Sequence, residues 1–140
     1  MPAYGLALGG ITPRLGSLSL GEAEAMLYGL YVLDLYQLAR GVPPISGALQ
    51  RRAGGRRLRY IRRDPDEHWQ SLREIWATGG GDCEDLAAAV AAEYTWRHGL
   101  MARPVIRRVR PGLAHAVVEI QQGPLAGQRI DPSRTGGMGE

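Results

Sequence analysis

The sequence predicts an α+β fold in which helices come first and a small antiparallel sheet follows. Two stretches with helical periodicity, 19–39 and 83–98, precede a Val- and Ile-rich region over 103–121 that alternates in the manner of strands. No repeat or linker divides the 140 residues, a length that suits one domain with one core. We therefore expect a single domain over 1–140, with an N-terminal part over 1–57, a core over 58–133 and a frayed tail over 134–140.

The composition excludes several classes of protein. Hydrophobic residues make up 44% and charged residues 22%, which is ordinary for a globular chain. The apolar stretches are broken well short of the roughly 18–20 residues that a membrane span needs. The N-terminus lacks a signal-peptide layout, so we expect a cytoplasmic protein with no membrane contact. The one cysteine excludes an internal disulfide and a multi-thiolate zinc site.

The first helix is predicted from Ser19 to Ala39. Ser19 and Glu22 have the spacing of a capping box, and Arg40-Gly41 followed by two prolines ends the helix. The helix is apolar around much of its circumference, so we expect burial on more than one side. Residues 41–57 lack periodicity and are interpreted as a loop.

Seven arginines and no acid lie between Arg51 and Arg63. Such a cluster is found in patches that bind nucleic acid or acidic proteins. A platform for single strands also needs interleaved aromatic residues, and this stretch has only Tyr60. All 17 cations of the chain are Arg, which fits a GC-rich genome, so we interpret the stretch as a solvated loop and do not expect nucleic-acid binding.

Two further helices flank a glycine triplet. Asp64 and Pro65 are start signals for a helix predicted to run through Trp69 and Trp76 and to stop at the glycines 79–81. The Ala-rich stretch 83–98 follows, ended by Gly99. Strands are then predicted over 103–110, 115–121 and 128–131, the first two as a hairpin around Pro111-Gly112.

Cys83 is the candidate nucleophile. The glycines let the backbone pass close to a substrate, and the first helical turn stabilises a thiolate. Cys83 also shares the apolar face of the helix with Leu86, Ala87 and Val90, so it points toward the predicted sheet. The acidic residues beside it act in the opposite direction, because negative neighbours raise the pKa of a thiol.

His115 and Asp131 are the candidate base and orienting acid. Alternation places His115 on one face of its strand with Val117 and Glu119. If the short third strand pairs with the strand of His115, the carboxylate of Asp131 can hold the imidazole in one tautomer. A nucleophile at a helix start with a base and an orienter on following strands is the set that thiol acyl transfer needs.

The ordered motifs resemble the transglutaminase-like superfamily, and the GDCED form is most similar to the bacterial transglutaminase-like cysteine proteinases. Trp69 and Glu74 also stand where that group has a tryptophan and a glutamate. The resemblance covers roughly residues 58–133 and rests on Gly81-Asp82-Cys83-Glu84-Asp85-Leu86-Ala87, Gly99, Ala102-Arg103, His115-Ala116 and Ile130-Asp131-Pro132.

The resemblance implies a papain/transglutaminase-like core with a catalytic triad of Cys83, His115 and Asp131, acting on a protein or peptide without a required cofactor. Some relatives bind calcium through the acids around the cysteine, here Asp82, Glu84 and Asp85. Small versions without a leader are similar to bacteriophage and prophage proteins, which implies a virion-associated context.

We expect a cysteine peptidase or amidase. The first alternative is a phage structural or assembly protein with a residual or single-use site, binding a virion partner. The second is a transglutaminase that cross-links or deamidates proteins. The backbone N–H of Cys83 supplies one oxyanion donor, and the second is open among Trp69, Gln70 and Trp76.

Overall fold

The fold combines helices with two small sheets. A computed structural model of the chain describes residues 19–49, 57–62, 68–110 and 113–139. Its helices are α1 (Leu20–Ala39), α2 (Ser46–Leu49), α3 (Leu72–Thr78), α4 (Cys83–His98) and α5 (Pro132–Thr135). Its strands are β1 (Arg59–Tyr60), β2 (Gly80–Gly81), β3 (Ala102–Arg110), β4 (Leu113–Ile120) and β5 (Arg129–Ile130). The predicted α+β layout is confirmed, while the expected arm before residue 19, the Asp64 helix start and the Pro111-Gly112 turn lie outside the described residues.

Helix α1 begins as predicted. The Ser19 side chain accepts a hydrogen bond from the Glu22 N–H and the Glu22 carboxylate accepts one from the Ser19 N–H, both at 3.1 Å. The helix packs on α4, β3 and α3, which agrees with burial on more than one side. Its remaining face is open, and Tyr28 and Tyr36 are about half exposed.

Helix α4 is the centre of the molecule. It contacts α1, α3, α5, β3 and β4. Residues 86–92 are each at most 3% exposed, because a run of small side chains lets neighbours approach from every side. The helix is capped by Asp82 at its start and ends at Gly99, which has the positive φ of 63° that favours glycine.

The three-stranded sheet has the order β3-β4-β5 and is antiparallel throughout. Val118 pairs with Ile130, which confirms that the third strand lies beside the strand of His115. The face of β4 made by Ala116, Val118 and Ile120 is at most 1% exposed and packs on α4. Alternation places His115 on the other face of β4, where it is partly buried.

The start of α3 corrects the prediction. Trp69 and Gln70 are not helical, and the helix begins at Leu72 with Ser71 as its N-cap. The Leu72 N–H donates to Asp34 Oδ1 at 2.7 Å, and the next N–H donates to a side chain of α1 as well. A capping box between Ser71 and Glu74 and these acceptors from a distant helix together fix this start, and only the capping box is visible in the local sequence.

Four short elements, α2, β1, β2 and α5, were not predicted as such. Ser46–Leu49 forms the single turn α2 inside the expected loop. β1 and β2 pair in parallel, so two of the three glycines are a strand and not only a turn. Pro132–Thr135 forms α5, turns follow it through residue 139, and Gly136 O accepts a 2.9 Å hydrogen bond from the Tyr60 N–H.

Candidate active site

Cys83 lies at the first position of α4, as predicted. Asp82 is the N-cap residue, and its side chain accepts a hydrogen bond from the Asp85 N–H at 3.3 Å. Within the described residues no acceptor pairs with the backbone N–H of Cys83. This N–H remains one of the unpaired donors of a helix start.

The surroundings of the thiol favour its neutral form. Cys83 is 9% exposed, and its Sγ donates to Glu84 Oε2 at 3.2 Å. Burial, followed by the charge of Glu84, raises the pKa of Cys83, while the nearby backbone N–H of Ala116 acts to lower it. The opposing effect of the neighbouring acids, expected from the sequence, is therefore present in the structure.

The same Ala116 N–H locates the sulfur relative to the candidate base. Ala116 follows His115 on β4, so Cys83 lies at the His115 end of that strand. In the described part of the chain the thiol bonds to Glu84 and not to the imidazole.

His115 and Asp131 are in direct contact. The distance from His115 Nε2 to Asp131 Oδ2 is 2.8 Å, and the two side chains are 19% and 22% exposed. Since Nε2 is engaged by the carboxylate, Nδ1 is the nitrogen left to accept a proton. The other oxygen of Asp131 accepts from the Ser133 N–H at 3.1 Å, so one carboxylate both caps α5 and orients the imidazole.

The three acids expected as calcium ligands are engaged by partners within the protein. Asp85 is fully buried, and its oxygens accept from the Gln70 N–H, the Gln70 Nε2 and the Asp82 N–H at 2.7, 3.1 and 3.2 Å. Glu84 faces the thiol. No cluster able to hold a metal ion occurs among the described residues, so these acids do not fit the calcium site that the resemblance implied.

Asp82 and Asp85 instead form a buried acidic pair. Burial raises the pKa of Asp85 to about 8, with the charge of Asp82 as the next cause. Burial and then Glu84 raise the pKa of Asp82 to about 7. Both groups hold the glycine segment and the start of α4 in place, and a carbon at the Cβ position of Gly81 would lie 2.7 Å from Asp85.

Two of the three residues considered as second oxyanion donors are committed elsewhere. Gln70 Nε2 donates to Gly80 O at 2.8 Å and to Asp85. Trp76 Nε1 donates to Pro43 O at 2.7 Å. Trp69 is 1% exposed and packs within the core.

The structure adds one residue that the sequence did not suggest for the site. Tyr60 lies on β1, paired with Gly81, and its charge interactions are with Cys83, Asp82 and Glu84. The sequence shows it only as an aromatic residue inside an Arg cluster. The parallel pairing of β1 with the glycine strand places it here, and no local pattern predicts that pairing.

A separate cavity of about 270 Å³ lies on another side of α4 and is lined by none of the triad residues. Its buried acid, Glu93, accepts from the N–H groups of Ile45 and Ser46 at 3.1 and 3.0 Å and from the Ser46 hydroxyl. This carboxylate therefore caps α2.

Comparison with known proteins gives a limited result. No protein-family model and no curated protein matches the sequence. A crystal structure of the periplasmic domain of TgpA from Pseudomonas aeruginosa bound to ethylmercury aligns with a TM-score of 0.46 and 20% identity, over 89% of this chain and 48% of that one. A second structure of the same domain gives 0.43 and 18%, over 87% and 45%. The chain thus spans about half the length of the structures it matches.

One further property concerns membranes. Within the described ranges, every helix is too short or too polar to cross a lipid bilayer.

Proposed function

We propose that the chain is a cysteine acyl-transfer enzyme on a papain/transglutaminase-like core, and that it hydrolyses amide bonds in a protein or peptide. Cys83 is the nucleophile, His115 the base and then the acid, and Asp131 the orienter. The observation that carries the proposal is the 2.8 Å bond between His115 and Asp131 on a strand whose next backbone N–H borders the Cys83 sulfur.

The first half of the reaction follows from these positions. His115 Nδ1 takes the thiol proton, and the sulfur forms a bond to the substrate carbonyl carbon while an electron pair moves to the oxygen. The helix-start N–H of Cys83 stabilises that oxyanion. When the intermediate collapses, the C–N bond breaks and His115 returns the proton to the leaving amine.

The second half reverses the roles of the same groups. Water, activated by His115 Nδ1, attacks the thioester carbonyl, and the carbon–sulfur bond breaks with the proton returning to sulfur. Asp131 keeps the imidazole in one orientation throughout, because its Oδ2 is held by Nε2 while its Oδ1 is fixed by α5. No step needs a metal or a cofactor.

Alkylation of Cys83 tests the proposal directly. The chain has one cysteine, so the mass of the intact protein reports on that thiol alone. With iodoacetamide near neutral pH, we expect His115→Ala to slow alkylation by at least about ten-fold, because the base that removes the thiol proton is lost. His98→Ala is a matched control, since His98 lies at the far, exposed end of α4 and should leave the rate unchanged.

Equal alkylation rates in the wild type and His115→Ala would contradict the triad. That result would favour the alternative of a structural or assembly protein with a residual site. A slower rate in Asp131→Asn, which cannot hold the same tautomer, is expected as an independent second indication.

The acyl acceptor decides between hydrolysis and cross-linking. Purified protein should be incubated with a glutamine-containing peptide library and methylamine, and the masses of the products measured by mass spectrometry. Cleaved peptide bonds are expected from the hydrolase, whereas methylamine adducts or deamidated glutamines as the main product would assign a cross-linking or deamidating transglutaminase.

A further inference from the structure

The backbone of Tyr60 is fixed beside the start of the nucleophile helix. Tyr60 pairs with Gly81, which lies two positions before Cys83, and the Ile61 N–H donates to Gly81 O at 2.8 Å. From the other side, the Tyr60 N–H donates to Gly136 O at 2.9 Å. Since both sides of the segment are bonded, the residue cannot move away without breaking β1 or its contact with the turn after α5.

The side chain of Tyr60 lies on the same face of the β1–β2 pair as the Cβ direction of Gly81, which meets Asp85 at the start of α4. It is partly buried and packs against the core, and three of its four charge interactions are with Asp82, Cys83 and Glu84. These three residues are consecutive at the start of α4. In the described part of the chain, no group hydrogen bonds to the Tyr60 hydroxyl, so this donor is available to a ligand.

The hydroxyl is a donor at neutral pH. Burial and the adjacent Cys83 and Asp82 raise the pKa of Tyr60, so the phenol keeps its proton where the thiol reacts. A neutral phenol near the start of α4 has the property that an oxyanion requires of a hydrogen-bond donor.

We propose that the Tyr60 hydroxyl is the second oxyanion donor of the site, acting together with the backbone N–H of Cys83. This inference rests on the function proposed above. As the Cys83 sulfur bonds to the carbonyl carbon, the electron pair of the double bond moves to oxygen, and the phenol donates a hydrogen bond to that oxygen without giving up its proton. The substrate carbonyl therefore lies between β1 and the start of α4.

Two probes separate this role from any effect on the thiol itself. Acylation of Cys83 by p-nitrophenyl acetate passes through a tetrahedral oxyanion, whereas alkylation by iodoacetamide is displacement at a saturated carbon and forms none. Tyr60→Phe removes the hydroxyl and keeps the ring. We expect it to slow acylation by about 10²-fold, the effect of losing one oxyanion donor, and to leave alkylation unchanged within about two-fold.

Matched variants complete the experiment. Tyr94→Phe removes a hydroxyl from a partly buried tyrosine on α4 and should change neither rate. A urea midpoint equal to that of the wild type shows that Tyr60→Phe is folded. Unchanged acylation in Tyr60→Phe overturns the inference, as does an equal loss in both reactions, which would place the hydroxyl on the thiol. Selective loss in Trp69→Phe instead would assign the donor to Trp69.

The same data distinguish failure of the wider proposal. If the wild type and His115→Ala acylate at equal rates, the acyl-transfer function fails, and the role of Tyr60 with it. If acylation depends on His115 and not on Tyr60, the function stands and only the assignment of the donor is wrong.

Discussion

Replacing Asp85 with alanine tests the interior of the site more severely than any surface change. The Asp85 carboxylate accepts three hydrogen bonds, from the Gln70 N–H at 2.7 Å, Gln70 Nε2 at 3.1 Å and the Asp82 N–H at 3.2 Å. The residue has no exposed surface, so water cannot replace the lost oxygens without entering the core. Asp85→Ala leaves three buried donors unpaired.

The expected loss follows from those three bonds. Each unpaired buried donor costs about 1–3 kcal/mol. Removing a carboxyl whose pKa burial raises to about 8 returns part of that cost, since the charged form is disfavoured in the fold. We expect the free energy of unfolding to fall by about 3 kcal/mol, a large fraction of the roughly 5–15 kcal/mol of a domain.

Urea denaturation followed by tryptophan fluorescence measures this loss, because Trp69 is buried next to Gln70. Glu119→Ala is a suitable control, since it removes an acid that pairs with Arg129 at the sheet edge and should change stability by less than about 1 kcal/mol. If the free energy of unfolding falls by less than about 1 kcal/mol in Asp85→Ala, the three donors find other partners, and the expected loss of about 3 kcal/mol is refuted.

Three other changes have defined outcomes. Glu84→Gln removes the negative charge that raises the pKa of Cys83, so alkylation near neutral pH should become faster, and a slower rate would contradict the assigned electrostatics. Gly81→Ala places a carbon 2.7 Å from a buried carboxylate and should cost about 1–3 kcal/mol in urea denaturation. Gly47→Ala has open space around the new carbon and should leave stability unchanged. Equal losses of stability in Gly81→Ala and Gly47→Ala would contradict a steric cause at Gly81. Burial raises the pKa of Asp34 well above 3.8, so the folded state binds this proton more tightly than the unfolded state. Stability should therefore fall as pH rises from 3.8, and the fall should be smaller in Asp34→Asn, as urea midpoints at several pH values would show.

Elements whose ends are set by local chemistry could be predicted from the sequence. The capping box at Ser19 and the glycine at position 99 lie within α1 and α4 or directly beside them, and both ends were predicted correctly. The hairpin strands were predicted to within about two residues, because alternation of buried and exposed positions is also a local property.

Elements set by distant contacts could not be predicted. Asp34 is a polar residue in an apolar helix, and only the structure shows that it accepts the first N–H of α3. The predicted start at Asp64 and Pro65 passes over the capping box of Ser71 with Glu74, which is a local signal and lies where the helix begins. β1 pairs in parallel with Gly80 and Gly81, and because glycine has no side chain, the second strand shows no alternation from which the pairing could be predicted.

The candidate site divides in the same way. The order of a helix-start cysteine, a strand histidine and a following acid suggested the triad, and the contact of His115 with Asp131 agrees with it. The acids around Cys83 were expected at a metal site because sequence spacing shows proximity without direction. In the structure the Asp85 side chain faces inward to backbone donors and Glu84 faces the thiol.

The segment from Asp131 to Gly136 connects β4 with β1 through hydrogen bonds at its two ends. Its first residue holds the imidazole on β4, and its last accepts the Tyr60 N–H on β1. A carbon added at the Cβ position of Gly136 would lie 2.8 Å from the Tyr60 nitrogen, so the two segments are packed too closely to admit a side chain there. Cutting the backbone inside these six residues would disturb His115 and Tyr60 together, although neither residue would itself be altered. A single proteolytic cut there would therefore disturb the proposed site while leaving α4 and its cysteine in place.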